Sequence, residues 1–147
     1  MKKMFVLLVA VVITASAWAS PSPAENAKAT AAFEKAFTGA TEPQWTSNDE
    51  GLYIVTFKLN NEKMRAWYSE DGEFKAVQRS VKPEQMTYLA AKALQELAAE
   101  TRIVSVEEIS KDDTFYYLVK TENAKAKITY SLSSTGEKMK LDKKKKR

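Results

Sequence analysis

Residues 52–79 read LYIVTFKLNNEKMRAWYSEDGEFKAVQR, three alternating runs joined by two tight turns. Tyr53, Val55, Phe57 and Leu59 alternate with Ile54, Thr56 and Lys58, the period of two expected of a strand with one face in a core. Asn60-Asn61 tolerates the positive φ that a two-residue hairpin turn requires. The chain returns over 63–68, turns at Ser69-Glu70-Asp71-Gly72, and runs out again over 73–79. Turns this tight join antiparallel neighbours, because parallel strands need a crossover of a dozen or more residues.

Working outward, the pattern recurs. A slide of 64 positions carries Gly72 onto Gly136, Glu73 onto Glu137, Tyr53 onto Tyr117, Val55 onto Val119 and Lys63 onto Lys127. With no gap, Ala27, Lys28 and Ala29 fall on Ala91, Lys92 and Ala93, Phe33 on Leu97, and Trp45 on Ile109. Two tandem units are therefore expected, each a supersecondary element that shares a continuous core with its neighbour. The second unit should have strands at 114–121, 125–132 and 137–141, with turns near 122–124 and 133–136. A short strand precedes each set, at 41–46 and 103–110; Pro43 cannot donate to a ladder, so an edge or a bulge is expected there.

The helices come first in each unit. Ser22-Pro23-Ala24-Glu25 is a helix start, and the helix should run to about Phe37, with Gly39 free to end it. The second begins at Pro83, and Met86, Leu89, Ala90, Ala93, Leu94 and Leu97 make its apolar stripe before an end near Glu100. One helix per unit covers one face of a sheet. The expected fold is α+β: two tandem helix-plus-antiparallel-strand repeats forming one sheet of up to eight strands, with two helices on one face.

Lys2, Lys3, the apolar run 5–13 and the small residues Ala17 and Ala19 read as a cleaved Sec-type signal peptide, 1–19. The remainder is expected to be a single domain, 20–142, of two repeats (about 22–80 and 83–142), followed by a basic tail, 143–147. The protein is thus expected in the periplasm or secreted, without the cysteine that a lipoprotein needs. Absence of cysteine also means no disulfides, so the core alone must hold the fold.

With no histidine either, Cys–His and Ser–His–Asp chemistries are excluded. No enzyme activity, catalytic residue, metal ligand or cofactor is expected. Ser69-Glu70-Asp71-Gly72-Glu73 lacks the alternating oxygen ligands of a calcium loop and reads as a turn. Glu107-Glu108 and Asp112-Asp113 read as solvated acids. The net charge of +4 is misleading, because without Lys2, Lys3 and the five residues Lys143, Lys144, Lys145, Lys146 and Arg147 the body has 16 basic against 19 acidic residues. A nucleic-acid partner is therefore not expected.

Alternation assigns the faces. Tyr53, Val55, Phe57, Leu59, Met64, Ala66 and Tyr68, with Tyr117, Val119, Ile128, Tyr130 and Leu132, should meet the helices. Trp45, whose counterpart in the slide is aliphatic, is read as core. The opposite face should carry Leu52, Ile54, Thr56, Lys63, Arg65, Trp67 and Phe74 in the first unit, and Tyr116, Leu118, Lys120, Lys127, Thr129 and Ser131 in the second. Large apolar groups mixed with Lys and Arg make a protein-binding surface, with Leu52, Ile54, Lys63, Arg65, Trp67, Phe74, Tyr116, Leu118 and Lys120 as its candidate contacts. A homodimer or a second sheet would cover the same face.

Phe33, Phe37, Ala40 and Trp45, then Tyr53-x-Val55-x-Phe57, then Tyr68-x-x-x-Gly72, resemble the PepSY-like, β-lactamase-inhibitor-like proteins of bacterial envelopes. The resemblance covers nearly all of the chain after the leader, as two tandem units. It implies the helix-plus-antiparallel-sheet unit, and an exposed sheet face of the kind with which tandem β-lactamase inhibitors grip an enzyme. The chain departs from the pattern at Pro43, where a β-branched residue is usual, and at Ile109, where the first unit has Trp45. No inhibitory residue carries over. The expected function is a non-enzymatic periplasmic or secreted protein-binding module, an inhibitor or regulator of an envelope enzyme. The alternatives are a carrier or sensor of small apolar or anionic ligands held between sheet and helices, and an envelope-surface protein recruited weakly to anionic lipid or lipopolysaccharide by its basic tail, Lys143, Lys144, Lys145, Lys146 and Arg147.

Overall fold

The computed structural model describes residues 26–145. The leader, its cleavage site, the helix start at Ser22, and Lys146 and Arg147 lie outside the described residues. A helix followed by four strands occurs twice: α1 (Ala27–Ala36), β1 (Thr41–Ser47), β2 (Tyr53–Leu59), β3 (Glu62–Tyr68) and β4 (Phe74–Ser80), then α2 (Tyr88–Glu100), β5 (Arg102–Lys111), β6 (Thr114–Glu122), β7 (Ala126–Ser133) and β8 (Lys138–Lys145). The eight strands form one antiparallel sheet in simple chain order. Asn60 and Asn61 take φ of 50° and 67°, as the β2–β3 hairpin requires. β1 is an edge strand, and its ladder with β2 is irregular between Thr41 and Gln44, around Pro43.

Both helices start differently from the sequence expectation. Asn26 caps α1: its Oδ1 accepts from the N–H groups of Lys28 and Ala29. Pro83 opens only a 3-10 turn, Pro83–Gln85; α2 begins after Thr87, whose hydroxyl accepts from Ala90 N–H. Each cap also ties its helix to a β-turn. Asn26 Nδ2 donates to the carbonyl of Glu70 at 3.0 Å, and Thr87 Oγ1 donates to that of Ser134 at 2.6 Å. In each turn a glycine makes the approach possible. A Cβ on Gly72 would lie 2.7 Å from the carbonyl oxygen of Lys28, and one on Gly136 would lie 2.9 Å from that of Leu89. Both glycines also hold positive φ, +81° and +88°, which L side chains avoid.

These caps correct the gap-free slide. Asn26 and Thr87 stand 61 positions apart, whereas Val55 and Val119 stand 64 apart. In the first strands Trp45 faces Val55 and Val106 faces Val119, so Val106, not Ile109, takes the place of Trp45. A slip of three residues in a helix is almost one turn and leaves an apolar stripe nearly in place. The same slip in a strand sends the side chain to the other face.

The core lies between the helices and one side of the sheet, in two clusters. Ala29, Phe33, Trp45, Val55, Phe57, Ala66 and Tyr68 form the first. Val81, Met86, Ala90, Leu94, Leu97, Val106, Tyr117, Val119 and Leu132 form the second. The register Val55–Ala66–Val77–Ser110–Phe115 runs across the seam, so both helices sit on the same side. At that seam, on the helix side, Arg79 Nε donates to Glu108 Oε1 at 2.9 Å, and this bond is the main reason the guanidinium pKa is raised above its usual value.

Candidate functional site: the uncovered sheet face

No described element lies over the other side of the sheet. Strand registers place its residues in rows. Ile54 sits directly across from Trp67, which sits across from Ala76. The next row runs Thr56, Arg65, Gln78, Ile109, Tyr116 and Ser133. The row after it runs from Ser80 through Glu107, Leu118 and Ser131 to Met139.

Of the residues expected here, Ile54, Lys63, Arg65, Trp67, Tyr116, Leu118 and Lys120 lie on this face. Leu52 precedes β2, in the β1–β2 loop, where its N–H donates to Asn48 Oδ1. Phe74 is on the wrong side for that set. A bulge between Trp67 and Tyr68 pairs Phe74 with Tyr68, and its ring lies 5.8 Å from Tyr68 and 6.5 Å from Phe37, on the helix side. Alternation extrapolated across the turn placed it one step out of register.

The rows form two apolar zones with a cationic zone between them. Ile54 and Trp67 are half-buried, as are Ile109, Tyr116 and Leu118 in the second half. Between the zones is an open groove of about 240 Å³, whose lining includes Thr56, Lys63, Arg65, Gln78, Glu107 and Lys120. Glu107 Oε2 accepts from Gln78 Nε2 at 2.6 Å and from Lys120 Nζ at 3.2 Å. Lys63 and Arg65 form no ion pair among the described residues; the Arg65 guanidinium lies 6.0 Å from the Trp67 ring centroid. This groove and two others of about 130 and 330 Å³ are lined entirely by strand residues, so none of the three lies between the sheet and the helices.

Sequence reasoning missed Glu107, Gln78 and Ile109 on this face. Glu107 and Glu108 look in the sequence like a pair of solvated acids, but neighbours in a strand point to opposite sides. Glu107 enters the groove while Glu108 meets Arg79 behind the sheet. Alternation along 103–110 carries that signal, once Val106 rather than Ile109 is set in the core.

No protein-family model matches the chain, and no curated protein matches it. Solved structures do. A Bacteroides eggerthii protein provisionally assigned to the periplasm aligns at TM-score 0.71 and 15% identity, over 81% of this chain and 87% of that one. A DUF2874-family protein from Bacteroides uniformis aligns at 0.71 and 17%, over 82% and 89%. A BLIP-like protein from Bacteroides fragilis aligns at 0.67 and 14%, over 80% and 84%. At such identities the likeness is one of fold, and it shows that this chain has the α+β, β-lactamase-inhibitor-like fold: one eight-stranded antiparallel sheet and two helices.

Proposed function

We propose that this chain is a non-enzymatic, exported protein-binding module, periplasmic or secreted, that grips an acidic protein partner with its uncovered sheet face and inhibits or regulates an envelope enzyme. The observation that carries this reading is the cationic strip between two apolar zones. Lys63 and Arg65 stand without an ion pair among the described residues, beside the half-buried Trp67–Ile54 pair. An aromatic anchor flanked by unneutralised basic groups is the composition of an interface hot spot that steers acidic partners. The fold shared with a BLIP-like protein and with a protein provisionally assigned to the periplasm supports the same reading. We further read the two halves as copies of one PepSY-like unit, since each has a helix, four strands, a cap-to-turn hydrogen bond and a glycine under the helix.

The test uses residues 20–147, which hold every described element. A partner captured from envelope extract is purified and titrated by calorimetry. Trp67→Ala is expected to weaken binding by at least about 2 kcal/mol without moving the melting curve. Lys63→Glu with Arg65→Glu is expected to lower the association rate and its salt dependence. A Trp67→Ala chain that unfolds would place Trp67 in the core, and unchanged binding in both variants would remove this face as the docking surface. A partner that proves to be a second copy of the chain would make the face a homodimer interface.

A further inference from the structure

Strand β8 reads KMKLDKKK, residues 138–145, and forms the edge of the sheet opposite β1. In a regular strand Lys138, Lys140, Asp142 and Lys144 would share one side, with an acid among the lysines. The structure sorts them otherwise. Thr129 pairs with Asp142 and Tyr130 with Lys140, so Leu141 is an extra, bulged residue. Beyond it the alternation is reset. Lys138, Lys140, Lys143 and Lys145 register with Leu132, Tyr130, Ile128 and Ala126, all on the helix side, and Asp142 is turned to the opposite side.

The result is a column of four lysines, with steps of roughly 7 Å where the strand is regular. Every residue of β8 is exposed, and none of these lysines forms an ion pair among the described residues. Lys138 Nζ lies 5.7 Å from the centroid of the Tyr130 ring. Lysine on an edge strand blocks edge-to-edge pairing from either side; that role does not call for a bulge that gathers all four on one side and removes the acid.

A second observation lies at the Lys138 end of the column. Tyr88 is 80% exposed and Leu89 50% exposed in the first turn of α2. That turn is held against the β7–β8 turn through Thr87 and Ser134, and through the close fit of Gly136 under Leu89. An exposed aromatic and an aliphatic at one end of a lysine row match a membrane–water interface. The ring and the leucine suit the headgroup boundary, and the ammonium groups suit the phosphates.

We propose that the helix side of β8, with Tyr88 and Leu89, is a docking surface for anionic lipid headgroups. It is separate from the uncovered sheet face, on which the proposed protein partner binds. The lysines supply reversible, salt-sensitive attraction, and the two apolar side chains supply shallow insertion.

The test is co-sedimentation of residues 20–147 with vesicles of phosphatidylcholine alone or mixed with phosphatidylglycerol. Binding to the mixed vesicles only is expected, falling steeply as salt is raised. A quadruple variant, Lys138→Gln, Lys140→Gln, Lys143→Gln and Lys145→Gln, is expected to lose at least about a hundred-fold in affinity, since each charge near the surface contributes about a factor of five. An equal-charge control on the other face (Lys63→Gln, Arg65→Gln, Lys120→Gln and Lys127→Gln) is expected to keep most of the binding. Tyr88→Ser with Leu89→Ser is expected to weaken what binding survives at high salt. Equal loss in the two quadruple variants would show a net-charge effect and overturn the site, as would equal binding to neutral vesicles or no binding at all. A variant that melts early would be replaced by the single substitution Lys143→Glu, read in the same assay.

Discussion

The two halves of the molecule build the same arrangement from different side chains. In the first, aromatic rings interlock: Phe33 lies 5.7 Å from Phe37, 5.8 Å from Trp45 and 4.9 Å from Phe57, and Trp45 lies 6.1 Å from Tyr68. Alanines make room for them; Ala66 sits across from Val55, while in the second half Tyr130 sits across from Val119. The second cluster is mainly aliphatic, with Leu94, Leu97, Val106, Val119 and Leu132 around the single buried ring of Tyr117. The difference shows which features the fold demands and which it tolerates. Ring or branch is negotiable, provided that volumes complement one another. The cap-to-turn hydrogen bond and the glycine beneath the helix occur in both halves.

The largest expected effects break the core comparison directly. Phe33→Ala should cost about 3–5 kcal/mol, because three ring contacts go at once, and Leu94→Ala about 2–5 kcal/mol. Denaturant titration gives both, and a Leu94 variant costing more than the Phe33 variant would show that the three ring contacts add nothing beyond the volume removed.

The next sharpens the comparison between Tyr68 and Tyr117. The Tyr117 hydroxyl accepts from Thr87 N–H at 3.2 Å, while the Tyr68 hydroxyl is buried with no hydrogen-bond partner among the described residues. Burial pushes the Tyr68 phenol from 10.0 up to about 12, so the unfolded chain ionises first. The stability this buried phenol contributes is present below pH 10 and is expected to be lost as the pH climbs through 12, by about 2–3 kcal/mol. Tyr68→Phe should abolish that alkaline loss and be neutral or slightly stabilising at pH 7, as read from melting curves across pH. An alkaline limb that persists in Tyr68→Phe would assign the loss to other groups.

Gly72→Ala and Gly136→Ala should each cost at least about 1–3 kcal/mol, since both add strain at positive φ and push a Cβ into a backbone carbonyl. Gly72→Ala should be the worse, with its contact at 2.7 Å against 2.9 Å. The smallest effect belongs to the exposed pair Lys28–Asp71, 3.1 Å apart beside the first cap. Asp71→Asn should shift stability by under about 1 kcal/mol. A larger loss would mean that the ion pair, rather than Asn26, holds α1 to its turn.

Much of the architecture was legible because strands announce themselves by alternation and turn chemistry. The core residues Val55, Phe57, Ala66, Tyr68, Tyr117, Val119 and Leu132 were readable from period two alone. So were most of the uncovered-face residues, from Ile54 to Lys120. What failed was register across irregularities: Phe74 beyond a bulge, Ile109 beyond a three-residue slip, and Lys143–Lys145, which continue strand β8 rather than trail as a tail. Alternation counts residues, and a bulge adds one to the count without marking the sequence.

The α+β class, the antiparallel hairpins and the side of the sheet on which most residues lie follow from local periodicity and turn residues, and so are legible in the chain alone. The folded structure was needed to show that it is Glu107 that enters the groove and Glu108 that meets Arg79 behind the sheet, that Lys63, Arg65 and Lys120 share one groove, and that four lysines of β8 stand in a column with Asp142 turned away. Those outcomes depend on how one strand registers against the next. Register follows the hydrophobic pattern and the turns while strands stay regular, but each bulge shifts it by one residue without marking the local sequence.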